Sequence, residues 1–558
     1  MRFFLEVGFL LVVLGSLSSA QNCPILGPAY LPVADTTSPT LLTARTKFNN
    51  AFASDPRVDL NTTFIAIEVF SSLSKDPVHA YYHTAYENSE TAQVGPDTLF
   101  RIFSISKAVT IYAILAGLSD KYWDEPVIKY VSELANGKPR DAGIRVNWSE
   151  VTLGALASQM SGVSRDYALG DGSTVLSNIP GLRELRGSDI VRCGSSGLQA
   201  CTRQDAMQHV LSTYPVASSY RTPNYSSMAF QLLAYAVENI TGQAFPDFVR
   251  DQLVKPLNLT RTFLTKPGSD SNAVVVSGWD LDLGDEAPGG GYYQSVADLT
   301  TLGRSIINST LLPPLTTRKW LKPVTHTASL RSSIGRPWEI LRTPVPVSLS
   351  SMTTRIVDVY TKQGGGGNGY ISLLALSPDQ DIGASIITAG PNSAGAFDAA
   401  KELFMDIWLP TVEQVARDQA KTDFAGSYTL PDNSSAEISL YPDEPALYLS
   451  KLISNGTDIL EFIGQQTRAL KGAEKLARMW LYPMGPTAVA GDGKRRIAFR
   501  GVVGAEGRKA IEDCGSWAEG DRLRWGNYPG DLFIFKADKS GKALEVEVPA
   551  IGRTLKRM

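Results

Sequence analysis

Apolar residues fill nearly every position over 105–118, and no glycine or proline interrupts them before Gly117. A run this long and apolar on almost every side predicts a buried helix. Ser104 stands just ahead of it, where serine is a favoured cap. Elsewhere the pattern changes period. Residues 62–72 and 77–85 read as two strands joined by the turn signal Lys75-Asp76-Pro77. A helix is predicted over 151–162, stopped by Gly162, and an amphipathic one over 226–240. Another runs from Ser295, its expected cap, to 307. Strand-like runs return at 353–362, 369–377 and 382–389, and a helix over 397–421 follows. Two strands, a helical middle, then strands and a final helix predict an α+β fold. One antiparallel sheet, built from both chain ends, would pack against a helical region.

After Asp423 the chain becomes short strand-like runs between turn clusters such as Asp432-Asn433 and Asp538-Lys539-Ser540-Gly541. This predicts a small all-β domain over 423–558. At the other end, Arg2, an apolar core over 7–14 and the small residues Ser18-Ser19-Ala20 form a signal-peptide pattern over 1–20. The main domain is then expected over 21–422.

Composition narrows the setting. A chain of 558 residues exceeds a single typical domain. Its 53 basic and 56 acidic residues give a formal charge of −3, which points to neither nucleic acid nor an anionic membrane as partner. Four cysteines, Cys23, Cys193, Cys201 and Cys514, fit an oxidising, extracellular destination. They allow three pairings. Cys193 and Cys201 flank a short Gly/Ser-rich loop, which favours a local bridge and leaves Cys23 with Cys514. Glycosylation sequons at Asn61, Asn147, Asn239, Asn258, Asn308, Asn433 and Asn455 point the same way. Asn224 also carries one but adjoins a candidate site residue, and is set aside.

Candidate chemistry starts with Ser104-Ile105-Ser106-Lys107. Positions i and i+3 share a helix face, so Lys107 can reach Ser104. A serine hydroxyl needs a neighbouring base to become a nucleophile, and a lysine buried among apolar groups is disfavoured in its charged form. The tetrapeptide S-x-x-K is short and occurs twice. The second copy, Ser72-Leu73-Ser74-Lys75, ends a strand at a turn, where nothing holds the pair together. Histidine is scarce: His79, His83, His209 and His326 are the whole complement. His79 and His83 share a strand face without accompanying carboxylates or cysteines, so no metal is expected. No G-x-S-x-G elbow is present, which removes the usual serine–histidine arrangement. Tyr225 opens the helix at 226–240. A phenol flanked by lysines has its anion stabilised and can relay a proton. Lys362-Gln363-Gly364-Gly365 ends a strand-like run, and the glycines let a ligand approach the backbone closely. No Lys-Ser/Thr follows them, which argues against a phosphate loop.

In this order, Ser104-x-x-Lys107, Tyr225-x-Ser227 and Lys362-x-Gly364, the chain resembles the serine β-lactamase/penicillin-binding-protein family, in its class C-like branch of esterases, D-aminopeptidases and acyltransferases. The resemblance covers about residues 40–410, and the tail is similar to the β domain of some secreted fungal members. It departs at two positions. Ser227 stands where the family usually has asparagine, and Gln363 where it usually has threonine or serine. Literal copies at Tyr86-Glu87-Asn88 and Lys539-Ser540-Gly541 break the family order or fall outside the matching region. The resemblance implies a cofactor-free hydrolase that acts on an amide or ester of a small-molecule or peptide-like substrate through an acyl-serine. Ser104 would be the nucleophile, with Lys107 and Tyr225 sharing the base role. The backbone N–H groups of Ser104 and Gly365 would form the oxyanion hole, and Ser227, Lys362 and Gly364 would line the substrate site. Lys362 would bind a substrate carboxylate or tune Tyr225. An acyltransferase or cyclase on the same fold, or a non-catalytic binding protein, are the other readings.

Overall fold

The computed structural model describes residues 24–33, 37–86, 93–136, 143–167, 180–185, 190, 193–194, 198–268, 272–365, 369–463, 465, 477–484, 488–489, 495–505, 515–518 and 520–558. Two compact units emerge. One comprises residues 32–345 and 356–416. The other comprises residues 1–31, 346–355 and 417–558.

The larger unit is built on an eight-stranded sheet. Strands β1 (Phe64–Phe70) and β2 (His79–His83) come from the front of the chain. The short strands β3 (Leu99–Arg101), β4 (Thr262–Phe263) and β5 (Tyr293–Ser295) form a separate small sheet in the order β3-β5-β4. Next come β6 (Thr325–His326), β7 (Ser332–Ile334), β8 (Glu339–Pro346), β9 (Thr354–Gly365), β10 (Tyr370–Ser377) and β11 (Ile382–Ala389). The main order is β2-β1-β11-β10-β9-β8-β7-β6, so the two chain ends meet at the antiparallel pair β1–β11, with Ile67 opposite Ile386. This is the α+β architecture that the pattern predicted.

Why the sheet has two covered faces is visible in β1, whose seven residues are all buried. Successive side chains of a strand point to opposite faces. Phe64, Ala66 and Phe70 enter the core shared with helices Ser106–Leu118, Met228–Thr241 and Val296–Ile307. Ile65, Ile67 and Val69 enter a second core with helices Pro39–Ser54 and Ser393–Leu403. A nearly continuous apolar strand is what a sheet covered on both sides requires, and the one exception, buried Glu68, accepts from the Tyr82 hydroxyl at 2.5 Å.

Three predicted helices differ in extent. The one expected over 151–162 is only Leu153–Ala157. Gln159 takes a left-handed φ of 61°, and its side chain accepts from the Ser226 N–H at 2.7 Å, so the chain turns away before Gly162. The helix over 397–421 divides into Ser393–Leu403, a wider turn at Phe404–Trp408, and Leu409–Phe424. The helix expected over 226–240 begins at Met228. Ser295 does cap Val296–Ile307, accepting from Asp298 N–H at 3.2 Å.

In the smaller unit, strands Gly426–Leu430, Ser434–Ser439, Leu447–Ser454, Ala477–Pro483, Arg495–Ala505, Leu532–Ala537, Ala543–Val548 and Arg553–Arg557 pair antiparallel in succession, and the last pairs back to the first. The result is a closed eight-strand barrel. Alternate residues fill its interior, with the Phe535 ring 5.0 Å from those of Phe424 and Phe499. Closure leaves none of the eight strands as an unpaired edge.

Cys193 and Cys201 are disulfide-bonded. The proposed Cys23–Cys514 bridge and the segment 1–20 lie outside the described residues. The seven sequon asparagines at 61, 147, 239, 258, 308, 433 and 455 are all exposed. Asn224 is half-buried, and its amide donates to the Val163 carbonyl at 3.1 Å. Among the described residues, no helix is long and apolar enough to cross a membrane, and no cluster of histidine, cysteine and carboxylate groups could hold a metal.

Candidate active site

Ser104 lies at the junction of β3 and helix Ser106–Leu118, inside the single 3₁₀ turn Phe103–Ile105. The helix starts one residue later than predicted. Its N-cap position is Ile105, with no side-chain cap bond, so Ser104 is not the cap. The preceding Phe103 sits at a φ of 43°, a left-handed conformation that strains a bulky residue. The buried Ser106 hydroxyl locks this turn, donating to Phe103 O at 2.6 Å and accepting from Tyr292 N–H at 3.2 Å. Freed from capping, the half-buried Ser104 hydroxyl faces other side chains.

Two of them reach it. Tyr225 donates its phenolic proton to Ser104 Oγ at 2.5 Å, and Lys107 Nζ donates at 3.2 Å. Lys107 also donates to Ser227 Oγ at 3.1 Å and to the Gly289 carbonyl. Ser227, in the place of the expected asparagine, therefore holds Lys107. It also occupies the N-cap position of helix Met228–Thr241 without capping it.

Tyr225 itself is fixed by the backbone around it. Asn224 N–H donates to Gln159 O at 2.8 Å, and Ser227 N–H to Arg165 O at 2.8 Å. Ser226 Oγ donates to Ser164 O at 2.7 Å. These bonds tie residues 224–227 to the loop after Leu153–Ala157, whose shortening makes the loop available.

The opposite wall is the end of β9. A side chain at Gly364 would place Cβ 2.0 Å from Ile102 O and 2.9 Å from the Ser104 nitrogen. Only glycine permits this approach. Ser372 on β10 reinforces it, donating to Ile102 O at 2.8 Å. Gly365 follows at a φ of 139°, at the rim.

Three cations surround the Tyr225 ring. Lys107 Nζ is 4.7 Å from its centroid, the Arg165 guanidinium carbon 4.7 Å and Lys362 Nζ 5.2 Å. Burial opposes ionisation of the phenol, but the charges of Lys107 and Lys362 outweigh it, and Tyr225 titrates below the ordinary phenol value. Burial also drives Lys107 below the usual lysine range, opposed by its attraction to Tyr225. A base lysine and an acidified tyrosine on one serine hydroxyl can take its proton and return it.

Some participants carried no signal in the sequence. Glu339 on β8 accepts from Lys362 Nζ at 2.6 Å and from Gln363 N–H at 3.2 Å. Arg165 pairs with Asp166 at 3.1 Å. Glu286, buried beside Asp166, has its carboxyl pushed up, first by burial and then by that neighbour's charge. None belongs to a motif. The Pro288 and Gly289 carbonyls, ahead of β5, receive Thr110 and Lys107. The second S-x-x-K copy is elsewhere: Ser71 and Ser72 both donate to Asp381, and Ser72 makes no bond to Lys75.

Residues 74–404 match the family description Beta-lactamase, and residues 416–558 match Beta-lactamase-like-like, C-terminal domain. The chain is 31% identical over 540 residues to the "Beta-lactamase-like protein" of Arthroderma benhamiae, covering 88% of this chain and 87% of that one. It is 27% identical over 579 residues to the "Probable hydrolase M10" of a Phoma species, covering 98% and 93%. Among solved structures, the octameric penicillin-binding protein homologue from Pyrococcus abyssi aligns with a TM-score of 0.48 at 17% identity, over 92% of this chain and all of that one.

Proposed function

The chain belongs to the beta-lactamase family and is a serine hydrolase of that type, and from this premise we propose that it cleaves an amide or ester bond of a small-molecule or peptide-like compound through an acyl-Ser104 intermediate. The observation that carries the reading is the Ser104 hydroxyl held by Tyr225 at 2.5 Å and Lys107 at 3.2 Å.

Ser104 Oγ attacks the carbonyl carbon while its proton passes to the Lys107–Tyr225 pair. The carbonyl oxygen becomes an oxyanion facing the backbone N–H groups of Ser104 and Gly365. Collapse breaks the bond to the leaving group, which departs with the proton from Tyr225. Water then attacks the acyl carbon, gives its proton to the same pair, and restores Ser104. Labelling by a fluorophosphonate or penicillin-type probe, read by intact mass, tests this. The wild type should gain one adduct and Ser104→Ala none; equal labelling of both would sink the acyl-Ser104 step.

The division into a signal segment over 1–20, a catalytic domain over 21–422 and a C-terminal β domain over 423–558 belongs to the same proposal, as does secretion. The Cys193–Cys201 bond and seven exposed sequon asparagines support export. In an expressing culture the protein should be found in the medium, starting near Gln21 and shrinking on glycosidase treatment. Retention inside cells at full length would count against it.

A further inference from the structure

A site that receives a substrate carboxylate needs a cation with a donor to spare. The ammonium of Lys362 is 1% exposed and has three N–H donors. One goes to Glu339 Oε1 at 2.6 Å and one to Gln363 O at 3.0 Å, and the ammonium lies 5.2 Å from the centre of the Tyr225 ring. The other two cations on the Tyr225 ring also have partners. Arg165 gives its Nε to Asp166 at 3.1 Å and leaves its side chain two-thirds exposed (67%). Lys107 is fully buried and bound to Ser104, Ser227 and Gly289. Glu339, by contrast, remains about one-third exposed (34%). Its second oxygen takes the Gln363 N–H, at the residue that replaces the expected hydroxyl beside Gly364.

We propose that Glu339 is a specificity residue: it occupies the Lys362 ammonium, sets a negative charge at the Gln363 edge, and so selects acyl substrates that are uncharged there over those bearing a carboxylate. A second carboxylate entering that edge meets like charge and finds Lys362 already paired with Glu339. Lys362 is then left to stabilise the Tyr225 anion, the other of the two roles that its position allows.

The inference rests on the serine-hydrolase reading, and its test separates the two. Two ester pairs are compared on the full chain and on Glu339→Gln. One is 3-acetoxybenzoate and its methyl ester, with the charge on the leaving group. The other is mono-4-nitrophenyl succinate and its methyl ester, with the charge on the acyl group. The wild type should favour the neutral partner in kcat/KM by about tenfold or more, since like charges placed together in an interface are strongly disfavoured. Glu339→Gln should shrink that ratio by about fivefold or more, because one charge is removed while the acceptor to Lys362 stays. A wild-type ratio near or below one, or the same ratio in both proteins, overturns the proposal. Should the variant fold poorly, inhibition of the wild type by 3-carboxyphenylboronic acid and its methyl ester decides. Tighter binding of the ester supports the proposal, and equal or tighter binding of the acid overturns it. Failure of all four esters together with no probe label would overturn the hydrolase reading itself.

Discussion

Two stretches of this chain share one tetrapeptide pattern and have different fates. Ser72-Leu73-Ser74-Lys75 follows β1, and its serine hydroxyl is taken by the Asp381 carboxylate, with Leu73 turned to solvent. Ser104-Ile105-Ser106-Lys107 follows β3, and its serine is held by Tyr225 and by a lysine with no exposed surface. The difference lies in what surrounds the lysine. At the turn, Lys75 is exposed to water. On the helix, Lys107 loses its water, and charging it becomes costly. The two copies are thus told apart by burial and by partners distant in sequence, and not by the tetrapeptide.

The comparison can be broken most directly by removing each serine. Ser104→Ala should lower kcat/KM by roughly 10³-fold or more, as loss of a nucleophile does. Ser72→Ala should leave it within about twofold, as surface changes away from a site do. A large loss in Ser72→Ala would erase the distinction. Exchanging the bases comes next. Lys107→Ala and Tyr225→Phe should each cost about 10²–10⁴-fold in kcat, the range of positioned acid–base groups, whereas Lys75→Ala should change nothing measurable in the same assay. Gly364→Ala tests the close wall that only the Ser104 copy has. A Cβ there must displace Ile102 O or Ser104 N, so the melting temperature should fall by an amount equivalent to about 1–3 kcal/mol, with activity falling alongside.

A pH profile sharpens the electrostatic part. Lys362 favours the Tyr225 phenolate, so removing its charge raises the phenol's pKa. In Lys362→Met the rising alkaline limb of kcat/KM should therefore move to higher pH, by on the order of one unit. An unmoved limb would deny Lys362 that role. The smallest effect belongs to the turn copy. Ser72→Ala should cost about 1 kcal/mol of stability, the usual worth of one hydrogen bond, seen in denaturant melts.

Much of the fold was legible because its signals are local. The strand-like run at 62–72 announced a sheet strand, and Ser295 marked a helix start that the structure keeps. Two of the differences share one cause. The helix at 151–162 stops early because Gln159 turns its amide to Ser226, and the helix at 226–240 starts late, where Ser227 Oγ accepts from Lys107 Nζ and does not cap. In both, a tertiary hydrogen bond overrode a local preference. The barrel was legible as strands, but its closure was not. Pairing of Gly426–Leu430 with Arg553–Arg557 spans the whole domain.

From the sequence alone came the order of Ser104, Lys107, Tyr225 and Lys362, the scarcity of histidine that left lysine and tyrosine as bases, and the glycine that a crowded strand end demands. Residue type and periodicity are properties of neighbours along the chain, so they can be read there. Only the tertiary structure decided which S-x-x-K is buried, that Ser227 holds Lys107, and that Glu339 closes over Lys362 from another strand. Those outcomes depend on desolvation and on charges brought within a few ångströms by folding, and neither exists until the chain has folded.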